Sequence, residues 1–423
     1  MRAADQPAEL AVRPATDRLP RDYWRLWGSS TSSNIGDGVR STAIPLLAAA
    51  IDPRPLVVAT LTAVGYVPWL AFSLIAGGVA DRVHRRRLMI RLQGVRVVIL
   101  GLFALAVSLG RADIVMLCFV ALALGVTEVF FDTTAVTAVP SVLAPRQLEK
   151  GNSRLYAAEI TANEFVGSPL GAGLFALRAA APFWFSLLGS AASGVLLSRV
   201  TVSFNPPPAD EVPGARAPSF LASIRDGLRV ATASPFLRAW TFVLAVCTLA
   251  RAMTVSVFVL YVLDLLHGGR LAFGVLSAMS AVGGLAGGWR ADRVIARIGR
   301  RTSATAGFAM ISASDLLLGL VPEAWLTALA GLLFGAGIGV TNVLFVSIRQ
   351  RIVSAGHLGR VASVQRFAAW GALPLGALLG GWLAQALGLR APYLVAGVLV
   401  AVVAAVFRRA LLAFPDDDTF AAL

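Results

Sequence analysis

Lysine, histidine and cysteine are almost absent from this sequence of 423 residues, and charged residues make up only 14% of it. Lys150 is the single lysine, and it lies between Glu149 and Gly151 rather than before Ser or Thr at the end of a glycine-rich loop, so the chain contains no P-loop for ATP. The two cysteines, Cys118 and Cys247, lie in apolar stretches, and the three histidines stand apart. We therefore expect no disulfide and no structural metal site.

Apolar residues dominate the rest of the composition. They make up 57% of the chain and give it a mean hydropathy of +0.75, whereas a soluble domain carries roughly 25% charged residues. Stretches near the ~20 residues needed to cross ~30 Å of hydrocarbon recur along the whole length. A soluble globular protein is therefore excluded, and we predict an all-α protein that crosses the bilayer many times.

Charged and Pro/Gly-rich breaks divide the apolar sequence into twelve predicted membrane spans. The first six lie near residues 27–50, 55–80, 88–110, 112–134, 153–177 and 182–200. The second six lie near residues 236–263, 271–292, 302–321, 324–347, 361–387 and 391–412. An even number of spans places both termini on the same side of the membrane.

Basic residues indicate which side that is. The net charge is +14, and 36 of the 37 basic residues are arginines. With both termini inside, the cytoplasmic segments and the adjoining inner ends of the spans contain 26 of these residues, and the outer loops contain five. This asymmetry is the positive-inside pattern, so the charge indicates topology rather than nucleic-acid binding. We expect a monomeric, multi-pass protein of a bacterial plasma membrane.

Polar segments delimit the parts of the chain. The first residues contain arginines but no apolar core or cleavage site, which predicts a cytoplasmic tail rather than a signal peptide. Five prolines between residues 206 and 218 precede SFLASIRDGLRVAT, which predicts a linker with an amphipathic helix on the inner membrane surface. The predicted parts are a tail (1–26), a six-helix half (27–200), the linker (201–235), a second six-helix half (236–412) and a tail (413–423).

Three motifs occur once in each half. In order of span they are Gly-x3-Asp-Arg from Gly77 and from Gly288, GVTEVFF at 125–131 and GVTNVLF at 339–345, and PLGAGL at 169–174 and PLGALL at 374–379. Three matches in the same order, at offsets of 205 to 214 residues, predict a parallel repeat of two six-helix halves.

The segment GGVADRVHRRR at 77–87 resembles the loop motif of the major facilitator superfamily between helices 2 and 3, with His84 where the family usually has glycine. A second copy, GWRADRVIARIGRR at 288–301, carries a four-residue insertion before its Gly-Arg-Arg. The resemblance covers essentially the whole chain and implies a transporter. It assigns to a cytoplasmic gate Gly77, Asp81, Arg82, Arg85, Arg86, Asp132, Gly288, Asp292, Arg293, Gly299 and Arg300.

Three segments are similar to the macrolide-efflux and enterobactin-exporter branch of that superfamily. They are WRLWGSSTSSNIGDGVRSTAIPLL in helix 1, TEVFFDTTAVTAVPSVLAPRQLEKGNS through helix 4 and its loop, and GSPLGAGL in helix 5. The similarity implies a proton-driven exporter. GSPLGAGL also resembles the antiporter glycine-proline motif, with Ser168 in place of glycine. We expect helices 5 and 11 each to pack closely on a neighbouring helix through this motif, at Gly167, Pro169, Gly171, Pro374 and Gly376.

The Asp-Arg motif suggests a latch at the inner ends of helices 2, 3 and 4. Asp81 and Arg82 begin the loop, and Asp132 lies near the inner end of helix 4. Opposite charges in this position can pair when the cytoplasmic side closes and separate when it opens. The alternative is that the loop arginines only set the topology.

Charges inside the spans are the candidate working groups, because each costs roughly 2.5 to 3.5 kcal/mol at mid-membrane unless it is paired or hydrated. Asp37 and Arg40 lie one turn apart in helix 1, and Glu128 lies deep in helix 4. Asp37, Glu128 and Glu159 are the candidate proton carriers. For Asp37 and Glu128, the alternative is a buried ion pair that only holds the helices together.

Other polar residues of the spans are candidates for a substrate cavity: Arg40, Asn163, Glu164, Arg251 and Asn342. In a regular α-helix, Glu164 lies about 140° from Glu159 and shares a face with Gly167 and Gly171. Asp315 is expected to be an outer-side pair or a hydrated group. Arg96 is expected to snorkel toward the inner surface.

These features predict a secondary transporter, not an enzyme, that exports a small hydrophobic or amphiphilic compound, such as a drug, an antibiotic or a siderophore, by proton-coupled alternating access. The expected partners are this substrate and the lipid bilayer, with no cofactor beyond the proton gradient. An importer or a lysolipid flippase of the same fold is the nearest alternative. A polytopic membrane enzyme or sensor is a remote one, because the sequence offers no metal cluster and no nucleophile with a partnered base.

Overall fold

The computed structural model describes residues 19–80, 83–144, 147–202, 235–353 and 355–412 as a bundle of long helices. The helices are α1 (Arg21–Ile51), α2 (Pro55–Ala80), α3 (Arg85–Ser108), α4 (Ile114–Val142), α5 (Leu148–Ile160), α6 (Ser168–Leu177), α7 (Ala181–Ser198), α8 (Pro235–Leu260), α9 (Arg270–Leu320), α10 (Ala324–Ile352), α11 (Ala355–Leu387) and α12 (Ala391–Leu412). A π-helical segment, Thr161–Gly167, joins α5 to α6, and another, Tyr261–Leu265, continues α8. The predicted linker helix and the C-terminal tail lie outside the described residues.

Most predicted spans match one helix each, and the exceptions have local causes. Span 5 is α5, the π segment and α6 in succession. Spans 8 and 9 both lie in α9, which is 51 residues long and leaves helical geometry at Gly299, where φ is +79° and ψ is 159°. A positive φ carries no steric penalty at glycine. Helix α1 begins at Arg21, before the predicted start of the first span.

Helix α1 is the most polar of the spans. Eight of the described helices are long and apolar enough to cross a bilayer, and α1 is not among them. A run of polar residues from Ser29 to Asn34, followed by Asp37 and Arg40, occupies its middle. Such a helix must face other helices or a cavity at bilayer depth. Its buried polar side chains agree with a central position: Ser29, Ser33, Arg40 and Thr42.

Close helix packing recurs in the two halves. A Cβ at Gly171 of α6 would lie 2.5 Å from the carbonyl oxygen of Val39 in α1. A Cβ at Gly376 of α11 would overlap the carbonyl oxygen of Leu249 in α8. Gly171 and Gly376 follow Pro169 and Pro374 at the same place in the repeated PLGAGL motif. The repeated motif therefore makes the same helix contact in each half, as the prediction of two equivalent six-helix halves requires.

The two halves are apart at the end of the bundle that contains Arg21 and Leu412, called the terminal end below. Gly77 of α2 and Gly288 of α9, the glycines of the predicted gate, lie toward this end. A Cβ on either would meet no atom within 4 Å. The space that their Cβ atoms would face is therefore open in this conformation, although the backbone of Gly288 itself packs closely on Gly339 of α10.

The two halves meet at the opposite end. Ser168 of α6 donates a hydrogen bond of 3.2 Å to the carbonyl oxygen of Gly274 in α9. Gly381 of α11 packs so closely on the start of α2 that a Cβ would lie 3.1 Å from a backbone oxygen. Nearer the middle, Trp69 and Trp370 stack with ring centroids 4.6 Å apart. The bundle is thus closed at one end and open at the terminal end.

The two glycines of α6 allow a matched test of this packing. We expect Gly171→Ala to lower the free energy of unfolding by about 1–3 kcal/mol, because its methyl group must displace the α1 backbone. Gly173→Ala introduces the same methyl group where no atom lies within 4 Å, so it should leave stability unchanged or raise it slightly through helix propensity. Size-exclusion chromatography after heating in detergent measures both. Equal melting temperatures for the two variants would contradict the packing argument.

Candidate functional site

A cavity of about 450 Å³ lies between the two halves near the middle of the bundle. Its size is typical of sites for small molecules. Aromatic rings form much of its wall: Tyr66, Trp69, Phe258, Phe273, Phe334 and Tyr393. Its charged and amide side chains are Arg40, Glu128, Asn163, Glu164, Arg251 and Asp315. The structure thus brings four of the five predicted cavity residues together, and it adds two carboxylates.

A second cavity, of about 710 Å³, continues from the first toward the terminal end. It shares Glu164 and Arg251 with the central cavity, and it contains Asn342, the fifth predicted residue. Gly288, where the halves are apart, also lines it. The central cavity is therefore reached from the terminal end in this conformation.

Arg40 of α1 bridges two carboxylates beside the central cavity. Its Nη2 atom lies 3.0 Å from Oδ1 of Asp37 and 2.6 Å from Oε2 of Glu128. The side chain of Arg40 is 9% exposed, whereas those of Asp37 and Glu128 are 17% and 26% exposed. The arginine is buried, and both carboxylates keep partial access to the solvent. The pairing of Asp37 with Arg40 within one helix is the geometry expected from their spacing.

Arg96 of α3 completes this charge cluster, and the expectation from the sequence that it snorkels is wrong. It is 1% exposed, so it does not snorkel. Its Nη1 atom lies 3.2 Å from Oδ2 of Asp37 and donates to Oγ of Ser33 at 2.7 Å, while Nε donates to Oγ1 of Thr127 at 3.0 Å. Gln93 stands one turn before Arg96, and apart from Arg91 no other polar side chain lies between Leu88 and Val107. Two polar residues at that spacing were the available sign of an inward face.

A chain of polar side chains extends from the charge cluster toward α7. Nε2 of Gln93 donates to Oγ of Ser33 at 3.1 Å and to Oγ of Ser193 at 3.0 Å. Oγ of Ser193 lies 2.7 Å from Oγ of Ser29. Oε1 of Gln93 and Nη2 of Arg96 are buried and have no partner among the described residues. Buried polar atoms are rarely unsatisfied, so these two atoms are the least stabilised part of the network.

Two equivalent helical halves that enclose a central cavity, with an ion cluster beside it, are the architecture of a secondary transporter. Residues 20–422 match the transmembrane secretion effector family. The chain belongs to this family. The family is an efflux-type branch of the major facilitator superfamily, so the predicted all-helical major facilitator fold is confirmed, and the chain is a multi-pass membrane transporter rather than an enzyme.

Known relatives agree with this assignment. The multidrug efflux pump Tap of Mycolicibacterium fortuitum is 26% identical over 383 residues, which cover 86% of this chain and 90% of that protein. A mutant of the nucleoside transporter NupG superposes with a TM-score of 0.75 at 10% identity, over 91% of this chain and 98% of that one. An inward-facing, occupied bacterial homologue of the lysosomal transporter Spinster superposes with a TM-score of 0.73 at 13% identity, over 93% and 96%. At these identities the two structures show the fold alone.

The π segment decides which residues of span 5 face the cavity of this transporter. Gly167 packs on α1, where a Cβ would lie 2.7 Å from the Cα atom of Gly38. Glu164 is instead exposed and lines the cavity, and Asn163 donates to Asn34 of α1 at 3.3 Å. A π turn contains more than four residues, so the helix changes register inside the segment. The predicted alignment of Glu164 with the packing glycines therefore does not hold.

The remaining acidic candidates lie near the charge cluster. Asp132 is one turn from Glu128 and within electrostatic range of Arg96 and Asp37. It has no ion pair in the part of the chain that the structure describes. Glu159 is exposed on α5 and within electrostatic range of Glu128. Both carboxyl groups therefore lie on the side of the cluster nearer the terminal end.

Two gate arginines bind the ends of helices. Arg85 donates to the carbonyl oxygen of Thr137 at 3.0 Å, near the C-terminal end of α4, and Arg86 donates to that of Leu197 at 3.1 Å, in the last turn of α7. A cation is favourable at both places because helix carbonyls point toward it. Asp81 and Arg82 lie outside the described residues, so the latch stays a prediction.

The second gate motif lies at the terminal end of α9. Asp292 and Arg293 are exposed on the last turns before the break at Gly299. Arg300 follows directly in the second part of α9. The break turns the chain between two spans, which is the position that a gate loop takes in this repeat.

Asp22 fastens the start of α1 to the residues after α7. It accepts hydrogen bonds from Oγ1 of Thr201 at 2.6 Å and from the backbone N–H of Val202 at 3.0 Å, and it pairs with Arg25 at 2.8 Å. Burial raises the pKa of Asp22, but these hydrogen bonds outweigh burial and hold the pKa below its ordinary value. Its contribution to stability is therefore present above the unfolded pKa of about 3.9 and is lost as the pH falls through the lower folded pKa.

A double-mutant cycle tests the Asp37–Arg96 pair. We expect Arg96→Met to lower the free energy of unfolding by about 3–5 kcal/mol, because it leaves buried polar groups without their cation. Combined with Asp37→Asn, the loss should be smaller than the sum of the two single losses by about 1–3 kcal/mol. Thermal unfolding in detergent gives the four values, with Arg111→Met in an exposed loop as the control. Strict additivity would show that the pair contributes no coupling.

Proposed function

We propose that this transporter is a proton-coupled exporter of a small hydrophobic or amphiphilic compound and that it works by alternating access. The observation that carries the proposal is the bridge from Arg40 to Asp37 and Glu128. Arg40 is a buried cation that two partly accessible carboxylates share. When one carboxylate takes up a proton, Arg40 keeps only the other as an ionic partner.

Protonation of Glu128 is the step that links protons to conformation. The carboxylate lines the cavity, so a proton reaches it from the solvent in the cavity. A neutral Glu128 holds Arg40 less strongly, because the ion pair becomes an ordinary hydrogen bond. Arg40 then depends on Asp37 alone, and the attachment of α4 to α1 weakens. Since α1 lines the cavity and packs on α6, which meets the second half, this change reaches the contacts between the halves.

The geometry of the two ends supports alternating access. The main contacts between the halves run between α6 and α9 and between α2 and α11. Rocking of two rigid halves about the central cavity exchanges these contacts for contacts at the terminal end. We propose that Asp81, Arg82 and Asp132 latch the terminal end in that second state.

The direction and the substrate class rest on different observations. Charge asymmetry in the sequence favours a cytoplasmic position for both termini in a bacterial plasma membrane, so the accessible cavity is on the side from which an exporter collects its substrate. Similarity to a protein named as a multidrug efflux pump supports export. A wall of six aromatic rings with six charged or amide groups suits an amphiphile. An importer or a lysolipid flippase stays the alternative.

Everted membrane vesicles test this function. Vesicles that contain the full-length protein should accumulate the fluorescent amphiphile Hoechst 33342, or members of an antibiotic panel, when respiration acidifies their interior, and a protonophore should abolish the accumulation. We expect Glu128→Gln to reduce gradient-driven accumulation at least ten-fold, because the bridge loses its titratable member.

The control for this test is Glu323→Gln, the same change at an exposed residue before α10, which should transport as the wild type does. Substrate-for-substrate exchange needs no net proton movement, so it should survive in Glu128→Gln. Accumulation that is insensitive to the protonophore, or equally strong in Glu128→Gln, would rule out proton coupling through this residue. Accumulation only in right-side-out vesicles would identify an importer.

A further inference from the structure

A side pocket of about 220 Å³ lies inside the second half, next to the central cavity. The two spaces share Arg251, Phe334 and Asp315. Trp240 and Phe308 form apolar walls of the pocket. It is too small for a whole drug-sized molecule, but it is large enough for one head group of a molecule whose apolar part lies in the central cavity.

Asp315 is the unusual residue of this pocket. It belongs to the second part of α9 and is 3% exposed, and its Oδ2 atom is buried with no hydrogen-bond partner among the described residues. Arg251 of α8 lies within electrostatic range, but no ion pair joins the two side chains. The guanidinium of Arg251 instead lies over the ring of Phe334, 4.7 Å from its centroid. A buried carboxylate without a donor is costly unless something else supplies one.

In the first half, an acid and a base on the equivalent spans form an ion pair with each other. There the acid is on the first span and the base is on the third, and Asp37 and Arg96 pair at 3.2 Å. In the second half the charges are exchanged: the base, Arg251, is on span 7 and the acid, Asp315, is on span 9. The first pair is closed and holds helices together, whereas the second is open and borders the cavity. The repeat therefore leaves one acid of the second half available to a ligand.

We propose that Asp315 binds the protonated amine of an amphiphilic substrate, with the amine in the side pocket and the apolar part among the aromatic rings of the central cavity. A protonated amine supplies the N–H donor that Oδ2 of Asp315 lacks, and an N⁺–H to carboxylate hydrogen bond is among the stronger ones in proteins. Trp240 and Phe308 line the same pocket, so the amine lies among aromatic side chains. This inference rests on the proposed function, because it names the substrate class of that transporter.

An anionic head group does not fit this pocket as well. It would lie against the Asp315 carboxylate, which no contact neutralises. Arg251, the cation available to it, is already turned toward the Phe334 ring. The pocket therefore favours a cation with N–H donors over an anion.

Equilibrium binding to the purified full-length protein in detergent tests the proposal without any gradient. The probes are tritiated propranolol, a lipophilic secondary amine that is protonated at neutral pH, and its N,N-dimethyl quaternary derivative, which keeps the charge but has no N–H. We expect Asp315→Asn to weaken propranolol binding at least ten-fold and binding of the quaternary derivative less than three-fold. Asp315→Glu should recover part of the loss. Asp52→Asn, the same change in an exposed ion pair with Arg54, is the matched control.

A second readout locates the probe if Asp315→Asn fails to fold. Cys247 lines the side pocket, and Cys118→Ser makes it the single thiol of the chain. Propranolol should slow alkylation of Cys247 by N-ethylmaleimide in the folded protein.

Three results would overturn the proposal: no binding of propranolol to the wild type, unchanged binding in Asp315→Asn together with unprotected Cys247, or an equal loss for both probes. These failures are distinct from a failure of proton coupling, because binding in detergent requires no transport. Conversely, transport that ignores the proton gradient leaves the binding result intact.

Discussion

One buried guanidinium holds the centre of the first half together. Arg40 lies in a medium where an isolated charge is costly, and it is kept there by Asp37 in its own helix and by Glu128 across the helix interface. Arg96 then satisfies the second oxygen of Asp37. Because these ion pairs connect α1, α3 and α4, any change of charge on one carboxylate is also a change in how three spans are joined.

The charge cluster needs a helix that is polar in its middle, and that helix needs unusually close neighbours. Gly38 of α1 meets the backbone of Asn163, and Gly167 and Gly171 meet α1 in return. A backbone that approaches this closely excludes lipid from the polar face. The π segment lies in the same stretch and turns Glu164 toward the cavity while the glycines face α1. Packing and cavity lining are thus two consequences of one irregular helix.

The two halves have the same packing but different electrostatics. Equivalent glycines in the repeated motif seat α6 on α1 and α11 on α8. The ionic groups differ, because the acid–base pair of the first half is closed and that of the second half is exchanged in sign and open. A symmetric scaffold can therefore keep one half for a fixed ion cluster and leave the other half with charges for a bound molecule.

How far the sequence predicts this protein depends on the kind of information required. Hydropathy predicts the spans, motif offsets predict the repeat, and a three-residue spacing predicts the contact of Asp37 with Arg40. These features are local along the chain or recur within it, so they need no knowledge of neighbours. The inward direction of Arg96, the burial of Asp315 and the register of Glu164 were not predicted correctly.

The failure at Glu164 comes from the π segment, which no sequence pattern predicted. The failures at Arg96 and Asp315 share another cause. Around Arg96 in α3 and Asp315 in α9, apolar residues lie on most sides of the helix, so little in the pattern indicates which face meets lipid and which meets other helices. A single charged residue in such a helix is equally compatible with snorkelling and with burial until its neighbours are known. By itself the sequence determined the fold class, the repeat and the family. Only the tertiary structure decided which charges pair and which remain open, because pairing across a membrane depends on helix rotation and on the backbone distances that glycines permit.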